Sequence, residues 1–299
     1  MKRPCVIIAG GYSIDRRLDS VEVISGLSKI KIQLPKLPDK INQCSMFLHN
    51  GSLMFCVMGY AQAVSHKCFQ LDKGKWKRHS KMNYPRDGAK VVSTDKGTFL
   101  FDGSMSSKTY EFLPKNPGAK KWIVHKKRQI PGGFISGCAI EVKSKQQIWF
   151  IGGRPESIHG PNYHDRILSF DINTETFQEL STKLNLGRHL HACSYIPGTR
   201  KILVTGGFSH SYKYENTTEI IDTDDGSVAM GGSMNIGRVG HGMGTIKING
   251  KERLIVFGGE NGHENANSSV ELYNAETDQW EMADFNLEEP RFDFGCVTV

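Results

Sequence analysis

No stretch of this sequence reaches the roughly 18 consecutive apolar residues that a membrane-spanning helix needs. The opening, MKRPCVIIAGG, holds a four-residue apolar run before glycine, too short for a secretory leader. None of the seven cysteines stands in a CxxC pair, which argues against a zinc site and a disulfide framework. Their odd number fits a reducing compartment, and a cytoplasmic protein is the expectation. Two Asn-x-Ser/Thr sequons, at Asn216 and Asn267, are read as chance in such a chain.

Catalytic signatures are equally scarce. HExxH is missing, as is any Glu/Asp/His series at i, i+4, i+8, so no metal site or cofactor is expected. There is no G-x-S-x-G elbow and no framed carboxylate pair. No glycine-rich loop precedes a helical pattern, which excludes dinucleotide and P-loop readings. The charge of +7 is moderate, and its one dense cluster, KNPGAKKWIVHKKR (Lys115 to Arg128), reads as a solvated outer strand guarded by lysines, with a dedicated anionic site as the alternative. Neither a nucleic-acid partner nor a membrane is expected.

What the chain has in quantity is glycine, 32 residues, in turns between short strands. An apolar run closing on a glycine pair appears as VIIAGG (Val6–Gly11), IWFIGG (Ile148–Gly153), ILVTGG (Ile202–Gly207) and LIVFGG (Leu254–Gly259). Degraded copies, FCVMGY (Phe55–Tyr60) and TFLFDG (Thr98–Gly103), fill the gap. The first glycine positions fall at 10, 59, 102, 152, 206 and 258, a period near 50.

Each unit continues in the same way. A second strand follows a variable loop: SVEVIS, KCFQLD, KTYEFL, RILSFD, TEIIDT and SVELYN. A turn and a bulky apolar residue come next, at Trp76, Trp122, Phe177, Val228 and Trp280. Arginine stands ten or eleven residues beyond four of these, at Arg86, Arg188, Arg238 and Arg291. A strand of small residues then follows, as in HACSYI and FGCVTV, and suits the crowded axis of radiating sheets. Cys44, Cys138, Cys193 and Cys296 lie in these strands and read as small core fillers.

The chain begins on a glycine-ended strand and finishes on an unpartnered small-residue strand. Pairing the last strand with the first unit closes a ring and removes exposed edges. The expected fold is all-β: one six-bladed propeller with four antiparallel strands per blade. Its blades are 1–40 with 291–299, then 41–85, 86–131, 132–186, 187–236 and 237–290.

Glycine pair, distal aromatic and arginine at this spacing resemble the kelch-repeat family over essentially the full length. The wording VELYNAETDQWEMA with Pro290 and Arg291 is most similar to the propeller region of metazoan kelch-like proteins. That resemblance implies a non-catalytic module holding a peptide or protein on its loop face, as a ubiquitin-ligase substrate adaptor or an actin binder. Cullin-type ligase recruitment requires a BTB region supplied outside these residues. The alternative it carries is a sugar-acid epimerase or mutarotase of the sialic acid type; copper oxidase chemistry does not fit cysteines placed in core strands.

Candidate partner-binding residues follow from the loop face. Arg86, Arg188, Arg238 and Arg291 sit near the axis, where they either bind carbonyls of the neighbouring blade or form a basic ring for carboxylates of an acidic ligand. The loops add Arg16 and Arg17, then Arg154, Tyr163 and His164, then His210 and Tyr212, and finally His263. Tyr12, His159, Phe208, Tyr214 and Asn261 accompany them. His191 and His241 share one repeat position, three residues after Arg188 and Arg238, and are expected to serve the repeat's hydrogen bonding.

Overall fold

The computed structural model describes residues 4–26, 32–57, 65–86, 88–101, 109–116, 118–125, 130–155, 163–262 and 266–299. Alternation of buried and exposed residues along short β-rich runs makes strands, and every sheet is antiparallel. Blade 2 orders Cys44–His49, Ser52–Val57, Lys67–Asp72 and Lys75–Lys81 from inside to outside. Blade 3 uses Lys90–Ser93, Gly97–Phe101, Tyr110–Pro114 and Ile123–His125. Blade 4 uses Cys138–Val142, Gln147–Ile151, Arg166–Asp171 and Phe177–Lys183. Blade 5 has Ala192–Tyr195, Lys201–Thr205, Thr218–Asp222 and Val228–Gly231. Blade 6 has Gly242–Ile248, Lys251–Phe257, Ser269–Asn274 and Gln279–Asn286.

Blade 1 closes the ring. The C-terminal Gly295–Thr298 is its inner strand and pairs with Cys5–Ala9, which pairs with Val21–Ser25. The register runs from Val6 opposite Thr298 to Ala9 opposite Gly295, and Cys5 and Val299 exchange backbone bonds of 3.1 and 2.9 Å. This blade shows three strands among the described residues where four were expected. Gly59, Tyr60, Asp102 and Gly103 of the degraded glycine motifs, and Lys126 to Arg128 of the basic cluster, lie outside the described residues.

The core is divided into six apolar clusters, one in each wedge between neighbouring blades. Val6 and Ile8 of blade 1, for example, pack on Ile255 and Phe257 of blade 6. A single blade exposes both apolar faces, so each sheet depends on its neighbours for burial. The glycine pairs secure the seams. Gly206 has φ +62°, and a Cβ there would lie 2.7 Å from the Arg238 carbonyl of the next blade. The following Gly207 N–H donates to that same carbonyl at 2.8 Å. Only glycine tolerates both the dihedral and the approach.

Two cysteine pairs correct the expectation of unpaired thiols. Cys56 and Cys68 face each other on paired strands of blade 2 and form a disulfide, with Cα atoms 4.1 Å apart. Cys138 and Cys193 join the inner strands of blades 4 and 5, with Cα atoms 6.0 Å apart. Small residues crowd inner strands together at the axis, so two cysteines placed there come within bonding reach. Cys5, Cys44 and Cys296 are free.

Candidate recognition face

The four repeat arginines form no basic ring. Arg86, Arg188, Arg238 and Arg291 are 0% exposed, and each meets a glutamate on the third strand: Glu111, Glu219, Glu271 and Glu22. Arg238 shows the arrangement in full. Its Nη1 donates to the carbonyls of Gly258 (2.8 Å) and Ser269 (3.1 Å), and its Nη2 to Ser269 Oγ and Glu271 Oε1, both at 2.8 Å. Glu271 also accepts from Asn235 N, Asn235 Nδ2 and Ile236 N, which fills the carboxylate. These partners belong to the blade that the arginine leads into, which corrects the expected link to a neighbouring blade. A buried guanidinium consumed in this way stabilises a loop and has no donor left for a ligand.

Two blades lack the arginine, and they lack its partners too. The residue in question precedes by two the left-handed residue of each inner-strand loop, as Arg188 precedes Leu190. In blades 2 and 4 that residue is Ile41 and Phe134, both buried. The glutamate position, opposite Val204 in blade 5, becomes Phe69 opposite Phe55 and Leu168 opposite Phe150. The asparagine three residues before the arginine becomes Pro38 and Pro131, which have no N–H to donate. Donors, acceptor and cation are exchanged together for apolar groups. The sequence held the signal, because Glu recurs in SVEVIS, KTYEFL, TEIIDT and SVELYN, and Asn-x-x-Arg at three blade junctions.

The loops of blades 4 and 5 do assemble a surface. Tyr163 stacks on His189 at 4.2 Å and on His210 at 5.3 Å. Phe208 stands edge-on to His189, Tyr212 and Tyr214 at 6.0, 6.3 and 5.3 Å. A short ribbon, Arg188–His189 paired with Phe208–Ser209, carries two of these rings. Tyr212 is 68% exposed at a left-handed turn, and Tyr214 donates to Glu260 at 2.9 Å. Burial pushes His189 down to about 4, with Arg154 nearby adding to the effect, so its ring is neutral near pH 7. Burial raises the Tyr163 hydroxyl, Tyr212 adds to that, and Arg154 opposes it.

The structure therefore brings together Arg154, Tyr163, His210 and Tyr212 from the expected set and adds His189. The others stand apart. Arg16 pairs with Glu289 at 2.6 Å on a hairpin of blade 1, and Arg17 lies on the same hairpin. His164 is held low by burial and then by Arg166, and its backbone N–H bonds Gly153. His263 and His159 lie outside the described residues.

At the axis, six left-handed residues form a collar, one from each blade: Gln43, Gly88, Ser136, Leu190, Gly240 and Asp293. Backbone bonds of 2.6 to 2.9 Å link Gln43 to Asp293, Asp293 to Gly240, Gly240 to Leu190 and Leu190 to Ser136. They surround a hollow of about 110 Å³ that Lys90, His191 and His241 also line. His241 fulfils the expected structural role through Thr205 Oγ1 of the preceding blade, 2.9 Å from its Nε2. His191 does not. Its counterpart to Thr205 is Ile151, and both of its ring nitrogens lack a partner among the described residues. The sequons are structural as well, with Asn216 Nδ2 bonded to the Met234 carbonyl and Asn267 buried.

Among the described residues, no three His, Cys, Asp or Glu side chains gather as a metal site. A family model for the kelch motif matches residues 248–283, which hold the glycine pair, Glu271 and Trp280 of blade 6. Comparison with curated proteins finds no match. The sheet order of the matched unit recurs in blades 2 to 5 and blade 1 closes the ring, so the fold is a six-bladed β-propeller that carries a kelch motif.

Proposed function

We propose that this propeller is a non-catalytic interaction module that holds a protein or peptide on the loop face of blades 4 and 5. The observation that carries the reading is the Tyr163–His189–His210 stack, with Phe208, Tyr212 and Tyr214 around it. Aromatic rings on loops fixed by a rigid ring offer large contact area at low entropic cost, which is what binding hot spots require. With the repeat arginines buried, an acidic element in the partner falls to Arg154, beside an apolar anchor on the rings. Substrate recognition for a ubiquitin ligase and actin binding, both in the cytoplasm, belong to the same proposal, since each places a protein on this face.

The sugar-acid alternative needs an axial arginine free to clamp a carboxylate. All four are 0% exposed, and the axial hollow of about 110 Å³ falls short of the roughly 300 Å³ at the lower end of small-molecule pockets. The geometry favours binding over catalysis.

Peptide-display selection on the folded protein tests the proposal. Selected peptides should lose about tenfold or more in affinity for Tyr163→Ala/Tyr212→Ala, in line with hot-spot losses of about 2 kcal/mol. Peptides that bind the double variant as well as the parent would refute it.

A further inference from the structure

The charge of this chain is unevenly spread. Residues 65–130 carry 16 Lys and Arg against 5 Asp and Glu, a surplus of 11 in a chain of net +7. Much of that surplus lies on the outer strand of blade 2 and on the blade 3 segment beside it. Lys75–Lys81, KWKRHSK, has four cations and no acid. The other outer strands differ: FQELSTK balances Glu179 with Lys183, VAMG is uncharged, and QWEMADFN is acidic. The edges of the other blades therefore do without a run of cations.

The cations converge on two hollows that share His79. One, of about 330 Å³, is lined by His66, Lys67, Arg78, Ser80 and Lys81. The other, of about 100 Å³, reaches His49, Asn50 and Lys120. Lys67 and Lys81 stand directly opposite each other across the strand pair, an arrangement that is unfavourable without an anion. Lys77 is neutralised by Asp72 at 2.6 Å, and Lys67 reaches Asp39 only at 3.9 Å. No ion pair holds Arg78, Lys81 or Lys120 among the described residues. Lys120 lies close enough to help depress His79, after burial, and His79 and Lys115 act likewise on His49.

The geometry points to a binding site for clustered tetrahedral oxyanions, phosphate or sulfate groups carried on one small molecule, around the outer strand of blade 2. Arg78 supplies a planar fork, Lys67, Lys81 and Lys120 supply point charges, and His79 stands at the junction of the two hollows. A single phosphate engages one hollow only, whereas linked groups span both. The site is separate from the aromatic face of blades 4 and 5 and stands or falls independently of it.

Titration calorimetry at low ionic strength with tripolyphosphate tests this. Saturation at one site per chain is expected, with affinity falling about tenfold or more in Arg78→Ala/Lys81→Ala/Lys120→Ala. Lys145→Ala/Lys183→Ala/Lys201→Ala removes equal charge elsewhere and should keep binding within about twofold. All six side chains are exposed, and matching thermal unfolding confirms folding of both variants. A sulfated heparin tetrasaccharide is the second arm: binding of either ligand with this dependence supports the site and names its source. Absence of binding by both ligands, equal weakening in the two variants, or a single-stranded oligonucleotide binding through these residues while tripolyphosphate is inert would each overturn it.

Discussion

Arg238 and Glu271 lie 2.8 Å apart with neither side chain exposed, and three further N–H groups point at the same carboxylate. Removing one member of such a pair leaves the other charged and buried, at a cost of about 3–5 kcal/mol. Glu271→Leu should therefore lower unfolding free energy by about that much in urea titrations. Blades 2 and 4 show how to repair it. Adding Arg238→Phe and Asn235→Pro reproduces the Pro131, Phe134 and Leu168 set of blade 4, and the triple variant should be more stable than Glu271→Leu alone. A triple variant weaker than the single would mean that the apolar set works only in its own blades.

His191 and His241 titrate far from ordinary histidines. Burial, followed by nearby arginines, holds His241 down to about 3 and His191 well below its usual value. Both are neutral in the folded chain, while the unfolded chain takes up protons near pH 6.5. Stability from these two residues is thus full above about pH 6.5 and declines as pH falls, by about 1.4 kcal/mol per unit for each. Chemical denaturation at pH 7.5, 6 and 5 would show it, and a flat profile would contradict the assignment.

The same position suggests a stabilised variant. Phe294 occupies in blade 1 the place of His191 in blade 5, packed against Gly258 as His191 packs against Gly152. His191→Phe removes two unsatisfied nitrogens, worth about 1–3 kcal/mol, and should raise the melting temperature. It should also flatten the acid slope by one histidine. A lowered melting temperature would show that the axial hollow supplies solvent partners to the imidazole.

Thiol accounting checks the cysteine pairs. Alkylation of the unfolded, unreduced protein should label Cys5, Cys44 and Cys296 only, and all seven after reduction. The bridge between Cys138 and Cys193 spans 55 residues and that between Cys56 and Cys68 spans 12. Chain entropy assigns them about 4 and about 3 kcal/mol, so Cys138→Ser should be the more damaging change. Seven labelled cysteines without reductant would remove both bridges.

The repeat itself was legible in one dimension. Glycine pairs at a period near 50, bulky residues after each turn and small residues in the next strand mark the blades, because neighbouring sheets impose the same steric demands six times. The closing strand followed from the two ends. Roles that depend on what lies across a seam were not legible. Arg238 and the exposed Arg16 look alike as letters, yet one is enclosed by its blade and the other paired at the rim, because solvent access is set by packing. His191 and His241 share a register and differ only because Ile151 stands where the other blade has Thr205. The aromatic face and the Cys138–Cys193 pair likewise join residues of different blades, and the closed ring decides which of them meet.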